Sequence, residues 1–506
     1  MIRRQLFLFL LSAVAATSTA GNIVVNEGQS LHEALRQARE WRRTADPRCQ
    51  GGITITLNGG RHYMAEPLFM RPEDSGTPAS PTVIRGENGA TLCGDVRQQH
   101  TQLWPAEGME RIKDFDVNSR TISIATPPDD ILKLLLKEPH LEMVVHQRWA
   151  IAILRVKELN VNGTTTSVSF CEPESRLEFE HPWPQPVIGG ERGNSSFLLR
   201  TTEQRLGTEQ LVVVDGASYI TFQNVAFENT CWNRPLQQGH VTLQGGMHLI
   251  DAYKLKEKEG LPWDKGLENQ AWVGRPVSAV TVRNANAVTF RECSFAHTGA
   301  TALDIESGDS ATVDRCRFDD IGGTAIMAGS FAESPREVHR PYDDLAARCR
   351  HLTISNNTIR GATCEDWGAV GIGCGYVSDA VVENNVVSHV NYSGICVGWG
   401  WTPEYTGMEN NHIRNNTVSD YARQLYDAGG IYTLSNQPRS TICGNSISAP
   451  YPAPYATNSR AFSIYLDART DGFTISNNTT AGKQISPDEM GYNNPGPALV
   501  FTPLAP

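Results

Sequence analysis

The sequence predicts an all-β protein, a right-handed parallel β-helix (a solenoid of stacked coils) with an N-terminal capping helix and an inserted antiparallel β domain. Two observations carry this prediction. A short apolar motif returns along the second half of the chain at irregular intervals, and glycine followed by β-branched residues returns between its copies. Irregular intervals are typical of solenoids whose coils carry loops of different lengths. The 44 glycines and 28 prolines among 506 residues provide the many turns that such a fold needs.

The chain begins with the pattern of a secretory signal peptide. Arg3 and Arg4 give a charged start, residues 6–16 are apolar, and residues 18–20 are small enough for cleavage. The apolar stretch is too short to span a bilayer comfortably. We therefore expect residues 1–20 to be a signal peptide and the protein to be secreted or periplasmic.

Residues 21–104 are predicted to form an N-terminal cap and the first coils of the β-helix. After Ser30, apolar residues follow at helical spacing, which predicts an amphipathic helix that covers the open end of the solenoid. Residues 105–210 interrupt the coil pattern with proline-rich joints and are predicted to be the inserted β domain. Residues 211–490 are predicted to be the main, catalytic β-helix, and residues 491–506 a C-terminal tail.

The repeated motif carries asparagine or cysteine at a fixed place between apolar residues. Its copies are Phe290-Cys293-Phe295, Val313-Cys316-Phe318, Ile354-Asn357-Ile359, Val382-Asn385-Val387, Ile413-Asn416-Val418, Ile442-Asn445-Ile447 and, more weakly, Ile475-Asn478-Thr480. They begin 23, 41, 28, 31, 29 and 33 residues apart. We expect the apolar members to fill the core and the asparagines to stack at one corner, where their amides can bond turn backbone groups.

Two aspartates stand out when the strands that follow glycine are aligned on their isoleucines. The aligned residues are Ile326, Ile372, Ile395, Ile431 and Ile464. Asp467 lies three residues after the last of them, where most coils have glycine, and Asp427 precedes Ile431 on the coil before. Stacked strands lie about 4.8 Å apart, so the two carboxylates could lie roughly 5–9 Å apart, as in retaining or inverting glycosidases.

We therefore predict Asp427 and Asp467 as a catalytic pair. Each also has a structural alternative, because Asp427 could cap a turn and Asp467 could pair with Arg469 at the strand end.

Aromatic residues near the same strand ends are candidate substrate-binding residues, since rings stack on the C–H faces of sugars. The candidates are Trp367, Trp399, Trp401, Tyr432, Tyr465 and a further outward carboxylate, Glu306. Trp399 and Trp401 follow a strand directly and are flanked by glycine, a setting that favours exposure over core packing. Glu306 has the strand position of Asp467 but lies several coils earlier.

The net charge of the chain indicates which classes of binding partner are unfavourable. The formal net charge of −11 argues against nucleic acid or an anionic membrane surface as the main partner.

Cys293 and Cys316, like Cys374 and Cys396, are one coil apart, so stacked thiols fit them as well as disulfides do. No Cys-x-x-Cys pair has a matching partner, and we expect neither a zinc site nor a cofactor.

Three strings of residues resemble the β-helical enzymes of glycoside hydrolase family 141. They are residues 394–401, residues 427–434 and residues 464–467. The resemblance is strongest over residues 275–480, and it includes residues 141–145 of the inserted domain, which the family also carries. It implies α-L-fucosidase or xylanase activity on a carbohydrate substrate, with the catalytic pair at Asp427 and Asp467.

The resulting hypothesis is a secreted glycoside hydrolase that acts on a polysaccharide or its side chains. Two alternatives share the fold. A polysaccharide lyase or epimerase would need a uronate substrate, a base and commonly Ca²⁺, whereas a glycan-binding β-helix would bind without turnover.

Overall fold

The structure is a computed structural model, and it describes residues 20–94, 97–181, 184–190, 193–204, 206–251, 273–333, 336–337, 348–400, 405–451, 453, 460–467, 469–481 and 500–502. Residues 1–19 of the predicted signal peptide, Trp401 and most of the predicted C-terminal tail lie outside the described residues.

Three parallel sheets wrap around one apolar core and form the predicted β-helix. The first sheet contains Gly21–Val25, Ile53–Leu57, Thr82–Gly86, Ile220–Gln223, Thr289–Arg291, Thr312–Asp314, Thr353–Ser355, Val381–Glu383, His412–Arg414, Asn436–Cys443, Asp471–Ser476 and Val500–Thr502. The second sheet contains Gly60–Tyr63, Ala90–Cys93, Ala226–Glu228, Ser294–Thr298, Arg317–Ile321, Thr358–Ala362, Val386–Val390, Thr417–Ser419, Ser446–Ile447 and Thr479–Thr480. The third sheet contains Leu68–Met70, Val212–Asp215, Ser278–Arg283, Thr301–Ile305, Ile326–Ala328, Ile372–Cys374, Ile395–Val397, Ala428–Thr433 and Ala461–Leu466.

An antiparallel sheet packs against this helix, as the all-β prediction with an inserted domain requires. Its strands are His100–Trp104, Glu110–Arg111, Asp114–Asp116, Thr121–Ala125, Leu141–Gln147, Ala150–Asn162, Thr165–Phe170, Ser196–Thr202, His240–Gln244, Met247–Leu249 and Val273–Gly274. Two small sheets complete the described strands, with Ala285–Asn286, Gly308–Asp309, Cys349–Arg350 and Val377–Ser378 in one, and Ala332–Glu333 and Arg336–Glu337 in the other. The antiparallel sheet thus takes three strands from residues 240–274, beyond the segment predicted for the insertion.

The helices are few and short. They are the α-helices Leu31–Arg43, Asp129–Leu135, Glu174–Glu180 and Arg234–Gln238, and the 3₁₀ turns Pro47–Cys49 and Pro72–Asp74. Leu31–Arg43 begins after Ser30, whose hydroxyl accepts a hydrogen bond from the Glu33 backbone N–H at 3.3 Å. Its buried residues are Leu31, Ala34, Leu35, Ala38 and Trp41, the set that the helical spacing predicts.

The asparagine corner between the first and second sheets is a continuous ladder. The side chain of Asn385 accepts from the backbone N–H of Asn357 at 3.0 Å and from its Nδ2 at 2.9 Å. Asn385 Nδ2 in turn donates to the Ile354 carbonyl at 2.9 Å and to Asn416 Oδ1 at 3.0 Å. The same pattern continues through Asn416, Asn445 and Asn478. The predicted stacking is therefore confirmed, and the predicted cysteine partners Cys293 and Cys316 are free thiols.

Replacing Asn385 with alanine is expected to lower the free energy of unfolding by about 2 kcal/mol, because it leaves buried backbone groups of Asn357 and Ile354 without partners. Urea titration measures this loss. Asn118→Ala, at an exposed turn position, is the matched control and should change stability by less than about 0.5 kcal/mol. An equal loss in the two variants would show that the ladder contributes nothing specific.

Candidate active site

The third sheet places the two predicted aspartates on neighbouring coils. Ile431 pairs with Ile395 on one side and with Ile464 on the other, as the alignment of isoleucines predicts. Asp467 directly follows the strand Ala461–Leu466, and its backbone N–H donates to the Thr433 carbonyl at 3.1 Å. Asp427 directly precedes Ala428–Thr433, with φ of 62°. The two residues therefore flank one pair of adjacent strands.

Two tyrosines on these strands connect the carboxylates. Tyr432 and Tyr465 are aligned on adjacent coils and meet edge to face, with ring centroids 5.2 Å apart. Tyr465 Oη donates to Asp427 Oδ1 at 2.8 Å, and Tyr432 Oη donates to Asp467 Oδ2. Each carboxylate is thus held by the phenol of the neighbouring coil. Both tyrosines were predicted to bind substrate, but each is only 3% exposed and directs its hydroxyl to an aspartate.

A third phenol and an amide complete the cluster. Tyr392 Oη donates to the Asp427 carbonyl at 2.9 Å, and Gln244 Nε2 donates to Tyr432 Oη at 3.0 Å. Burial and the negative charges of both aspartates raise the pKa of Tyr392 and that of Tyr465 well above the ordinary value. These phenols therefore stay protonated and act as hydrogen-bond donors.

The environment of Asp427 favours its protonated form. The carboxyl is half-buried, and burial raises its pKa above the ordinary value. The charge of Arg460, the hydrogen bond from Tyr465 and the charge of Arg148 lower this pKa, but they do not offset burial. A carboxyl that holds its proton at higher pH is suited to general-acid chemistry.

The inserted domain also contacts the loop that ends at Asp427. The turn after Leu141–Gln147 brings Arg148, whose carbonyl accepts from the Tyr426 backbone N–H at 3.2 Å. His146 Nε2 lies 2.9 Å from the Gln424 carbonyl, and its ring stacks on Tyr426. The loop that ends at Asp427 is therefore packed against the inserted domain.

The predicted exposure of Trp399 is wrong. Its side chain is 3% exposed and meets Phe331 edge to face, with centroids 4.8 Å apart. It belongs to the apolar cluster that joins the inserted domain to the outward residues Met327 and Tyr376 of the β-helix. The glycine flanks suggest exposure, but Phe331 and the inserted sheet cover this part of the third sheet.

Two other predicted residues lie away from the pair. Glu306 is half-buried five strands before Ala461–Leu466 in the third sheet, which is about 24 Å along the axis. Burial and the charge of Asp304 raise its pKa. Trp367 lines a separate cavity of about 720 Å³ between the inserted domain and the β-helix.

Four residues of the cluster were not predicted. Tyr392 could have been found, because it stands three positions before Ile395, where the next coil has Ala428 beside Asp427. Gln244, Arg148 and Arg460 carry no such signal. Gln244 and Arg148 come from the antiparallel sheet, and no local pattern shows how that sheet docks.

Among the described residues, no group of three or more His, Cys, Asp or Glu side chains could hold a metal ion. Within the same part of the chain, no helix has the length and apolar character needed to cross a membrane.

Comparison with known proteins identifies the family. The model of the GH141 insertion domain matches residues 95–215, and that of the right-handed β-helix region matches residues 345–486. No curated protein sequence matches the chain. A solved structure described as a glycoside hydrolase is 32% identical, with a TM-score of 0.86 and coverage of 95% of this chain and 96% of the other.

Other solved structures are similar to the chain at a much lower level. An alginate lyase from Paenibacillus sp. str. FPU-7 is 10% identical, with a TM-score of 0.39 and coverage of 95% and 98% of the two chains. The Streptococcus pneumoniae surface protein and adhesin PfbA is 11% identical, with a TM-score of 0.40 and coverage of 96% and 98%. Likenesses at this level do not bear on activity. The insertion-domain match and the near full-length likeness do, and the chain belongs to glycoside hydrolase family 141.

Proposed function

We propose that this glycoside hydrolase is a secreted enzyme that acts on a plant-type polysaccharide or its side chains, with α-L-fucosidase-like or xylanase-like specificity. Asp427 is the general acid, and Asp467 is the nucleophile or general base. One observation carries the assignment: two carboxylates from adjacent coils lie in a single cluster of phenols, each accepting a hydrogen bond from a different tyrosine.

Asp427 has the environment that an acid needs. Burial keeps its carboxyl protonated to higher pH, so it can deliver a proton to the leaving-group oxygen as the glycosidic bond breaks. Tyr465 fixes the orientation of this carboxyl through Oδ1. The positive charges of Arg460 and Arg148 stabilise the Asp427 carboxylate that remains after proton transfer.

Asp467 supplies the second carboxylate. Tyr432 orients it, and Gln244 orients Tyr432, so its position depends on both the β-helix and the inserted domain. In a retaining reaction Asp467 would attack the anomeric carbon, and in an inverting reaction it would activate water. The anomer first released from substrate distinguishes these two courses.

The three phenols of this cluster are poor candidates for the base of a lyase or epimerase. Those reactions need a base that removes a proton from the sugar ring. The raised pKa values of Tyr392, Tyr432 and Tyr465 make their phenolates costly to form at neutral pH. The same phenols suit hydrolysis, where they act as donors.

The proposal is tested by incubating the mature protein with plant cell-wall polysaccharides and with aryl fucosides and aryl xylosides. Release of saturated sugar is expected. An ultraviolet-absorbing unsaturated uronate would instead indicate a lyase, and binding without any product would indicate a glycan-binding protein.

Tyr465→Phe is expected to move the alkaline limb of the pH profile of kcat/KM to higher pH. The Tyr465 hydrogen bond stabilises the ionised Asp427 and so lowers its pKa. Removing that bond raises the pKa further, and the acid stays protonated to higher pH. Tyr405→Phe, at an exposed tyrosine, is the control. A limb that stays in place or moves to lower pH would contradict the role of Asp427.

A further inference from the structure

The cavity at the junction of the inserted domain and the β-helix is lined by charged and polar side chains and is distinct from the aspartate pair. Its volume of about 720 Å³ falls in the range of small-molecule sites, roughly 300–1,000 Å³. Arg97, His100 and Arg200 come from the inserted-domain side. Glu365 and Trp367 come from the β-helix, between Thr358–Ala362 and Ile372–Cys374.

The charged groups of this cavity form one network around Glu365. Arg97 Nη2 lies 2.5 Å from Glu365 Oε1, and His100 Nε2 lies 2.6 Å from Oε2. Arg200 Nη1 lies 3.6 Å from Oε2. Burial alone would raise the pKa of Glu365, but the His100 hydrogen bond and the two guanidinium charges lower it to about 2. Glu365 therefore remains an ionised acceptor over the whole working range of pH.

The network neutralises its own charge. Arg97 pairs with Asp320 as well as with Glu365, and Arg200 Nε also donates to Glu142 Oε2 at 3.0 Å. Each guanidinium thus faces two carboxylates, which leaves no excess positive charge for an anionic ligand. The cavity therefore suits a neutral ligand that has many hydroxyl groups.

The apolar part of the lining also points to such a ligand. Trp367 and Leu198 give the cavity an apolar wall, and the half-buried indole offers a surface for the C–H face of a sugar ring.

The cavity lies at the corner of the β-helix that also holds Asp427, where the chain enters the third sheet. Trp367 precedes Ile372–Cys374, and Asp427 precedes Ala428–Thr433, two strands further along the third sheet. The coils of Trp367 and Asp427 are therefore about 10 Å apart along the axis, a distance that a short oligosaccharide spans.

We infer that this junction cavity is a second glycan subsite, which binds a neutral sugar residue of the substrate chain with Trp367 as its platform and Glu365 and Arg200 as its polar contacts. The inference rests on the proposed function in that the same glycan would extend to Asp427 and Asp467.

The test measures oligosaccharide affinity by calorimetry in the Asp467→Asn protein, so that the probe is not consumed. The probes are xylohexaose, a fucosylated xyloglucan fragment and, as an anionic comparison, a hexagalacturonate. Trp367→Leu, which keeps apolar volume but removes the ring, should raise the Kd of the better neutral probe about tenfold. Trp367→Phe should raise it less. Tyr405→Leu, at a 55% exposed tyrosine that does not line the cavity, should leave it within about twofold.

Several outcomes would overturn the inference. They are an unchanged Kd in a folded Trp367→Leu protein, no binding of either neutral probe, and tighter binding of the hexagalacturonate. Thermal melting of each variant shows whether it is folded. If Trp367→Leu does not fold, the Kd of the Trp367→Phe protein is used for the comparison instead. Hydrolysis of an aryl xyloside or fucoside reports on the aspartates alone. If this hydrolysis persists while the Kd of the oligosaccharide is unchanged by Trp367→Leu, the inference fails and the proposed function stands. If Trp367 governs binding but Asp467→Asn hydrolyses as fast as wild type, the proposed function fails.

Discussion

Asp467→Asn is expected to lose at least about a thousandfold in kcat/KM on every glycoside, whatever its leaving group. An amide can neither attack the anomeric carbon nor take a proton from water, so cleavage of the glycosidic bond loses its nucleophile or its general base. The hydrogen bond from Tyr432 can still be accepted by the amide oxygen, and the local structure should therefore persist. Initial rates with aryl fucosides and xylosides of different leaving-group pKa measure this effect.

The matched control is Asp319→Asn, at an exposed aspartate on the second sheet of the same β-helix. It should retain wild-type kcat/KM within about twofold. A folded Asp467→Asn protein that also retains activity would remove Asp467 from the mechanism. Loss in both variants would point to a general effect of lowering the negative charge.

Asp427→Asn is expected to lose about a thousandfold on polysaccharide and on aryl glycosides with poor leaving groups, because no acid protonates the departing oxygen. Dinitrophenyl glycosides need no such proton, so their loss should be at least about tenfold smaller. The alkaline limb of the pH profile should also disappear, since the group with the raised pKa is gone. The measurement is kcat/KM against leaving-group pKa for wild type and variant.

An equal loss on all leaving groups would contradict the assignment of Asp427 as the acid. If Asp467→Asn instead showed the leaving-group dependence, the two roles would be exchanged. The same set of aryl glycosides therefore shows which of the two aspartates is the general acid.

The positions of Asp427 and Asp467 on adjacent coils were predictable because a β-helix repeats itself. Once Ile395, Ile431 and Ile464 are aligned, the strand register fixes which residues stand at the strand ends, and the structure keeps that register. The asparagine ladder was predictable for the same reason, since each copy of the motif keeps its spacing to the apolar residues on either side.

The surroundings of the pair were not predictable in the same way. Trp399 looks exposed in its local sequence, but Phe331 and the inserted domain cover it. Gln244 contacts Tyr432 across 188 residues of sequence. Contacts between the inserted domain and the β-helix depend on how their surfaces dock, and no spacing within either segment encodes them.

The roles of the tyrosines needed the structure as well. Tyr432 and Tyr465 lie beside Asp467 and Asp427, but a tyrosine at a strand end can offer either its ring face or its hydroxyl. Burial of both rings decides this choice, because a covered ring cannot stack on a sugar while its hydroxyl can still reach a carboxylate.

The most direct test is hydrolysis in water labelled with heavy oxygen, with wild type, Asp427→Asn and Asp467→Asn compared on the best polysaccharide or aryl glycoside. Wild type should release saturated sugar that carries one labelled oxygen at the anomeric carbon, and both variants should release far less on a poor leaving group. Unlabelled or unsaturated product, or full activity in both folded variants, would contradict hydrolysis by this aspartate pair.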